Sequence, residues 1–397
     1  MAVQQKSTQV YGIDFLRFFA ASLVMIYHFG FISWAAPGSD LHPGYHLYDG
    51  YRILAPFIGT GWVGVEIFFV ISGFVIAYTA NGASPLKFLN RRVLRLGPAV
   101  WICATLSVPI LLAEAVGPRE TLWRYFASVM FLPYFQKVAG SYWTLPVEIA
   151  FYGLILLMLC GDLFRRIEFA TLVLGYGSSL MWVLYCLRPW IHTGALGHVL
   201  KLLGDKPAGE LLLAHYGVFF AVGLMIWLVS VYGWTLQRMI SFSSFIAAGI
   251  IEIAVETMKS SFWTGYHESA VVPIALWLGA MLSIGMSIKY NTVMERLFKR
   301  RRNLIRTIGL ITYPLYLIHE PAGAWLQFEL LAFGCPPMSA LVMAAGFSIV
   351  LAIIIAIWLE PVLQNQVRKC LAILGSRLPI VFDRLRTPTT LALTKSS

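Results

Sequence analysis

The sequence predicts an all-α, polytopic integral membrane protein with about ten transmembrane helices. Hydrophobic residues make up 58% of the chain and charged residues 12%, and the mean hydropathy of +0.73 lies well outside the range of a soluble domain. The apolar residues fall in runs of about 20, the length a helix needs to cross a bilayer. A membrane barrel would instead read as segments of about ten residues alternating in polarity, and no such pattern runs along this chain.

The runs cover residues 11–32, 61–80, 97–116, 143–160, 168–187, 211–230, 240–258, 269–288, 307–330 and 338–359. The first could be mistaken for a secretory signal, with "SWAAPG" as its cleavage site. It is too long for one, and Asp14 and Arg17 interrupt it. Residues 1–360 therefore read as one transmembrane domain. Residues 361–397 read as a basic cytoplasmic tail that starts amphipathic and ends without order. No separate soluble domain is expected in these residues.

Lys and Arg set the expected orientation. With ten spans, 21 of the 30 cations fall on the side of the termini and 8 on the other, with Arg17 inside a span. Both termini are thus expected in the cytoplasm. The same asymmetry accounts for the net charge of +11 without nucleic acid as a partner. The run "FKRRRNLIR" reads as a topology determinant touching lipid phosphates. Cys103, Cys160, Cys186, Cys335 and Cys370 stand singly, so neither a disulfide framework nor a metal site is expected.

Function should lie with the polar residues inside spans, because an ionised side chain near a helix centre costs about 2.5–3.5 kcal/mol on insertion scales. Arg17 and His28 are eleven residues apart, which returns to within about 20° of the same face over a rise of roughly 16 Å. One face of the first helix thus presents a cation in its inner half and an imidazole near its outer end. Asp14 lies one turn from Arg17 and is expected to pair with it. The second span carries Glu66 near its outer end, and the fourth opens "YWTLPVEIAFY" with Glu148. Both carboxylates are expected at the depth of His28, in a common polar cavity. In the ninth span His319 and Glu320 follow Pro314 and precede Pro321 in the outer half of an outgoing helix, where the prolines are expected to kink it and free backbone carbonyls that can line a cavity. Gly64, Ser72 and Gly73 permit close helix approach. Trp34, Trp62, Trp143 and Trp263 read as interfacial anchors. At the cytoplasmic mouth of the third span, Arg91, Arg92 and Arg95 suit bidentate recognition of phosphate.

These segments, in this order, resemble the membrane-bound acyltransferase family 3, which includes bacterial O-antigen, exopolysaccharide and macrolide acylases. "GIDFLRFFAASLVMIYH" is similar to the family's first-helix signature of Arg, ten residues, His. "GVEIFFVISGFVI", "RRVLRLGPAVW", "YWTLPVEIAFY" and "GLITYPLYLIHEP" are similar to four further signatures. Phe15, Glu66 and Gly97 stand where many members have Gly, Asp and Tyr.

The resemblance implies acyl transfer from a cytoplasmic acyl-CoA, expected to be acetyl-CoA, to a hydroxyl of an extracytoplasmic or lipid-linked carbohydrate in a bacterial inner membrane. No metal is implied. In this reading His28 is the general base, with Glu148 or Glu66 orienting it. Arg17, Arg91, Arg92 and Arg95 bind the donor, and His319 and Glu320 contact the acceptor. An acyl-His28 intermediate is the less favoured chemical route. Intramembrane His, Glu and Arg also build proton relays, so the competing expectation is a proton-coupled transporter or flippase. The sequence shows no pair of matching broken helices in its two halves to favour it.

Overall fold

The computed structural model describes residues 10–35, 51–187 and 207–377. Every regular element among them is helical. Eight helices are long and apolar enough to cross a membrane. They are α1 (Tyr11–Ala35), α2 (Ala55–Ala80), α3 (Pro85–Ala113), α5 (Gly140–Cys160), α6 (Phe164–Cys186), α8 (Leu236–Thr264), α9 (Val271–Lys289) and α12 (Pro337–Ile373). Shorter helices sit among them, including α4 (Pro118–Val129) and α10 (Asn291–Phe298).

The two remaining expected spans differ from these eight. The run at 211–230 forms α7 (Gly217–Tyr232), a helix of only 16 residues. The run at 307–330 forms α11 (Arg302–Ile318), which passes through a π turn, His319–Ala324, into a last stretch, Trp325–Ala332. The final span does not stop at 360, because a π turn at Ile355–Leu359 carries the helix on to Arg377. The expected disordered end of the tail lies outside the described residues.

Packing follows the distribution of small and apolar residues. α7 is apolar all round and buried along nearly its whole length, as a central helix must be. It lies tightly against α2, where Gly73 meets Gly223. A Cβ on Gly73 would sit 2.3 Å from the Phe220 carbonyl oxygen and 3.0 Å from the Gly223 Cα. The small residues of the second span therefore bring two backbones together. Around this centre, α1 contacts α2, α9 and α11, while α5 contacts α2 and α3. Large apolar side chains such as Leu157, Phe169, Val173, Leu282, Val342 and Trp358 face outward from the peripheral helices, as a lipid-facing surface requires.

Candidate active site

α1 and α11 change character at the same place. Each passes from α-helix into a π turn at a histidine, His28 in α1 and His319 in α11. π turns widen the backbone and often mark functional positions. In α11 the turn also contains Pro321, which has no N–H to continue the helical ladder. The two turns pack together and bring the imidazoles into contact. His319 Nε2 lies 3.2 Å from His28 Nδ1, with the ring centroids 5.0 Å apart.

The backbone assigns the protons. His28 Nδ1 is 2.9 Å from the Val24 carbonyl oxygen, and His319 Nδ1 is 3.1 Å from that of Leu315. A carbonyl only accepts, so each Nδ1 carries the hydrogen. The one Nδ1–H of His28 is then shared between the Val24 carbonyl oxygen and the Nε2 lone pair of His319, and His28 keeps its own lone pair on Nε2. That tautomer is the one a base requires. His319 is fully buried and lines neither the His28 cavity nor the Arg17 cavity, whereas His28 is half-buried and lines the first of these.

The His28 cavity has a volume of about 350 Å³. Glu66 enters it from the first turn of the α-helical part of α2, while Glu256, Lys259 and Trp263 come from α8. Glu66 is buried, and its Oε2 has no hydrogen-bond partner among the described residues. Glu256 accepts a hydrogen bond of 2.6 Å from Lys259 Nζ. Trp62, Trp143 and Trp263, expected as interfacial anchors, form part of the cavity wall instead.

A second cavity of about 90 Å³ lies on the Arg17 side. Arg17, Arg92, Arg95, Ser72, Glu148, Tyr152 and Tyr313 line it. Arg17 pairs with Asp14 at 3.6 Å, as expected. Arg92 lies over the rings of Phe88 and Tyr152, and Arg95 lies over Tyr313, each at 5.6 Å. Arg91 is exposed and does not line this cavity. Adjacent helical residues diverge by about 100°, while those three apart share a face, so only Arg92 and Arg95 turn inward.

Glu148 is not beside His28. Its Oε1 accepts a 2.7 Å hydrogen bond from Ser72 Oγ and another from the Tyr152 hydroxyl, within the arginine-lined cavity. The reason is local. α5 begins with a 3-10 turn, Gly140–Trp143, which occupies the near end of the segment and sets Glu148 deeper. Ser72, its partner, stands six residues beyond Glu66, roughly 9 Å further along α2.

Glu320 also departs from its expected place. It is buried and caps the start of α5, with its two carboxylate oxygens accepting from the Gly140 N–H at 2.9 Å and the Ser141 N–H at 2.5 Å. His319 and Glu320 thus form a layer behind the cavity wall. Val65 and Tyr316 are common to both cavities. Sequence reasoning missed Tyr316, Glu256 and Lys259. Two carboxylates at 252 and 256, four apart in an apolar run, were a signal for the last pair. Among the described residues, no group of three or more His, Cys, Asp or Glu is placed to hold a metal ion.

This geometry is that of a multi-pass membrane protein with a charged cavity and a histidine cavity side by side in its helix bundle, sharing Val65 and Tyr316 as wall residues. A family model described as "Acyltransferase domain" matches residues 10–359, and the chain belongs to that family, acyltransferase family 3. It is 26% identical over 243 residues to the "Putative membrane-bound transacylase BcsY" of Komagataeibacter xylinus, covering 55% of this chain and 50% of that protein. It is 32% identical over 103 residues to the "Exopolysaccharide production protein ExoZ" of Rhizobium meliloti (strain 1021), covering 23% of this chain and 32% of that one. The chain thus spans half or less of the length of these curated relatives. No solved structure matches it.

Proposed function

We propose that this protein is an O-acyltransferase of a bacterial inner membrane. It moves an acyl group from cytoplasmic acyl-CoA to a hydroxyl of an extracytoplasmic or lipid-linked carbohydrate. The observation that carries this reading is that a guanidinium-lined cavity and a histidine-lined cavity are neighbours sharing Val65 and Tyr316 in their walls. A ten-span topology with both termini in the cytoplasm puts Arg92 and Arg95 on the donor side and His28 on the acceptor side.

Arg92 and Arg95 bind phosphate groups of the donor through bidentate hydrogen bonds, and Arg17 continues the positive path inward. On the other side, His28 Nε2 takes the proton of the acceptor hydroxyl as its oxygen attacks the thioester carbon. The C–O bond forms, the C–S bond breaks, and the imidazolium returns the proton to the leaving thiolate. His319 Nε2 accepts from the Nδ1–H of the cationic His28 and stabilises it. The wall of aromatic rings and carboxylates around His28 suits a sugar, whose hydroxyls donate to Glu66 and Glu256. BcsY is named as a transacylase and ExoZ as an exopolysaccharide production protein, which accords with an acyl group and a polysaccharide.

The deciding experiment incubates purified protein in nanodiscs with radiolabelled acetyl-CoA and a crude cell-envelope glycan fraction. Label is expected to move to glycan with wild type and not with His28→Ala of equal thermal stability. Proton flux in vesicles without any acyl transfer would replace this reading with a proton-coupled transporter.

A further inference from the structure

Within the acyltransferase reading, donor and acceptor come closest where the two cavities share their wall. The donor enters from the arginine-lined cavity and the acceptor from the His28 cavity, and Val65 and Tyr316 are the residues that line both. Val65 has no polar group. Among the described residues Tyr316 is therefore the shared wall residue that carries a polar side-chain group, a hydroxyl able to donate a hydrogen bond.

Its surroundings suit that task. Tyr316 is buried on α11, one turn before His319. Its ring is held edge-on by Phe68 at 5.7 Å and lies 5.9 Å from the His319 ring. The hydroxyl lies 3.1 Å from the Ser141 carbonyl oxygen and 3.1 Å from Thr144 Oγ1, while Thr144 Oγ1 is 3.3 Å from the same Ser141 oxygen. The Ser141 carbonyl, with two lone pairs, can accept from both hydroxyls, and either one alone is enough to satisfy it. The Tyr316 hydrogen can therefore turn to another acceptor while Thr144 keeps the buried Ser141 carbonyl paired.

We propose that Tyr316 is a catalytic residue whose hydroxyl donates a hydrogen bond to the thioester carbonyl oxygen as it becomes an oxyanion. The hydroxyl oxygen of the acceptor attacks the thioester carbon while its proton passes to His28 Nε2. The carbonyl π electrons move onto the oxygen held by Tyr316. As the oxyanion collapses, the C–S bond breaks and the thiolate takes the proton back from His28. Tyr316 keeps its own proton throughout. Preorganised donors of this kind commonly account for about 10²–10³ in kcat.

The test uses the full-length protein in nanodiscs with radiolabelled acetyl-CoA and the crude envelope glycan fraction. Tyr316→Phe is expected to lower kcat roughly 100-fold with little change in KM for acetyl-CoA. Fluorotyrosines of graded acidity placed at residue 316 are expected to raise kcat as the phenol becomes a stronger donor, a trend that a purely structural hydroxyl would not produce. An active wild type whose Tyr316→Phe variant keeps kcat within about threefold overturns the proposal alone. So does a rate indifferent to fluorination, even where Tyr316→Phe unfolds. A wild type that transfers no acyl group overturns the underlying reading and this proposal with it.

Discussion

His319 Nε2 stands 3.2 Å from His28 Nδ1, so one buried imidazole backs another through nitrogens whose tautomers two backbone carbonyls fix. Glu66 and Glu148, the carboxylates expected to orient His28, make no hydrogen bond to it among the described contacts. A neutral acceptor behind His28 stabilises the cation formed during proton transfer without drawing the proton away from the neutral base. A hydrogen bond to a charged group contributes about 1.5–3 kcal/mol, and each 1.36 kcal/mol is tenfold in rate. His319→Ala is therefore expected to lower kcat roughly 10- to 150-fold with KM for the donor unchanged. His28→Ala should lose about 10²–10⁴. Steady-state acyl transfer by both variants checks this, and a His319→Ala enzyme with unaltered kcat would sink the backing role.

Arg92 and Arg95 line the donor-side cavity and Arg91 does not. Arg92→Ala and Arg95→Ala are each expected to raise KM for acetyl-CoA at least tenfold, because a charge-assisted hydrogen bond to phosphate is lost. Arg91→Ala should bind donor as wild type does. Isothermal titration with CoA separates the three, and equal losses at all of them would point to a diffuse field rather than a shaped site.

The spans were legible because their signal is compositional and about 20 residues long. The step from Arg17 to His28 was legible because a helix has a fixed pitch, and the structure puts each residue in a cavity wall. Glu148 was misplaced because nothing in "GSYWTLPVE" announces that its first four residues wind as a 3-10 turn. His319 and Glu320 were recognised as unusual, but their partners lie 291, 179 and 180 residues away in the chain, and such pairings exist only after packing. Trp62, Trp143 and Trp263 satisfy the interfacial pattern, and sequence does not tell a ring facing lipid from one facing a cavity.

Gly140 and Glu320 form a second testable contact, this time for stability. A Cβ at residue 140 would sit 2.7 Å from Glu320 Oε1, the oxygen that accepts from the Gly140 N–H. Gly140→Ala must push the carboxylate off the two N–H groups it caps. Forcing atoms into a filled site costs about 1–3 kcal/mol. Gly140→Ala is expected to lower the thermal midpoint in detergent by several degrees, and Glu320→Gln to lower it less, since one amide oxygen still accepts. A Gly140→Ala midpoint equal to wild type would mean that Glu320 has another place to go.

Glu268 gives the protein a pH-dependent stability. It lies in the connection between α8 and α9, where Ser260 Oγ donates to its Oε1 at 3.1 Å. Burial is the larger influence and pushes its pKa up to about 7, from an ordinary 4.5, with the Ser260 bond acting in the opposite sense. The folded state therefore holds this proton more tightly than the unfolded chain does. Its contribution to stability is full below about pH 4.5 and is lost as pH rises through about 7. Wild type should melt at a lower temperature at pH 8 than at pH 5, and Glu268→Gln, which cannot ionise, should show a smaller fall over that window. Thermal unfolding in one detergent across that range measures both slopes, and parallel curves would assign the pH dependence to other groups.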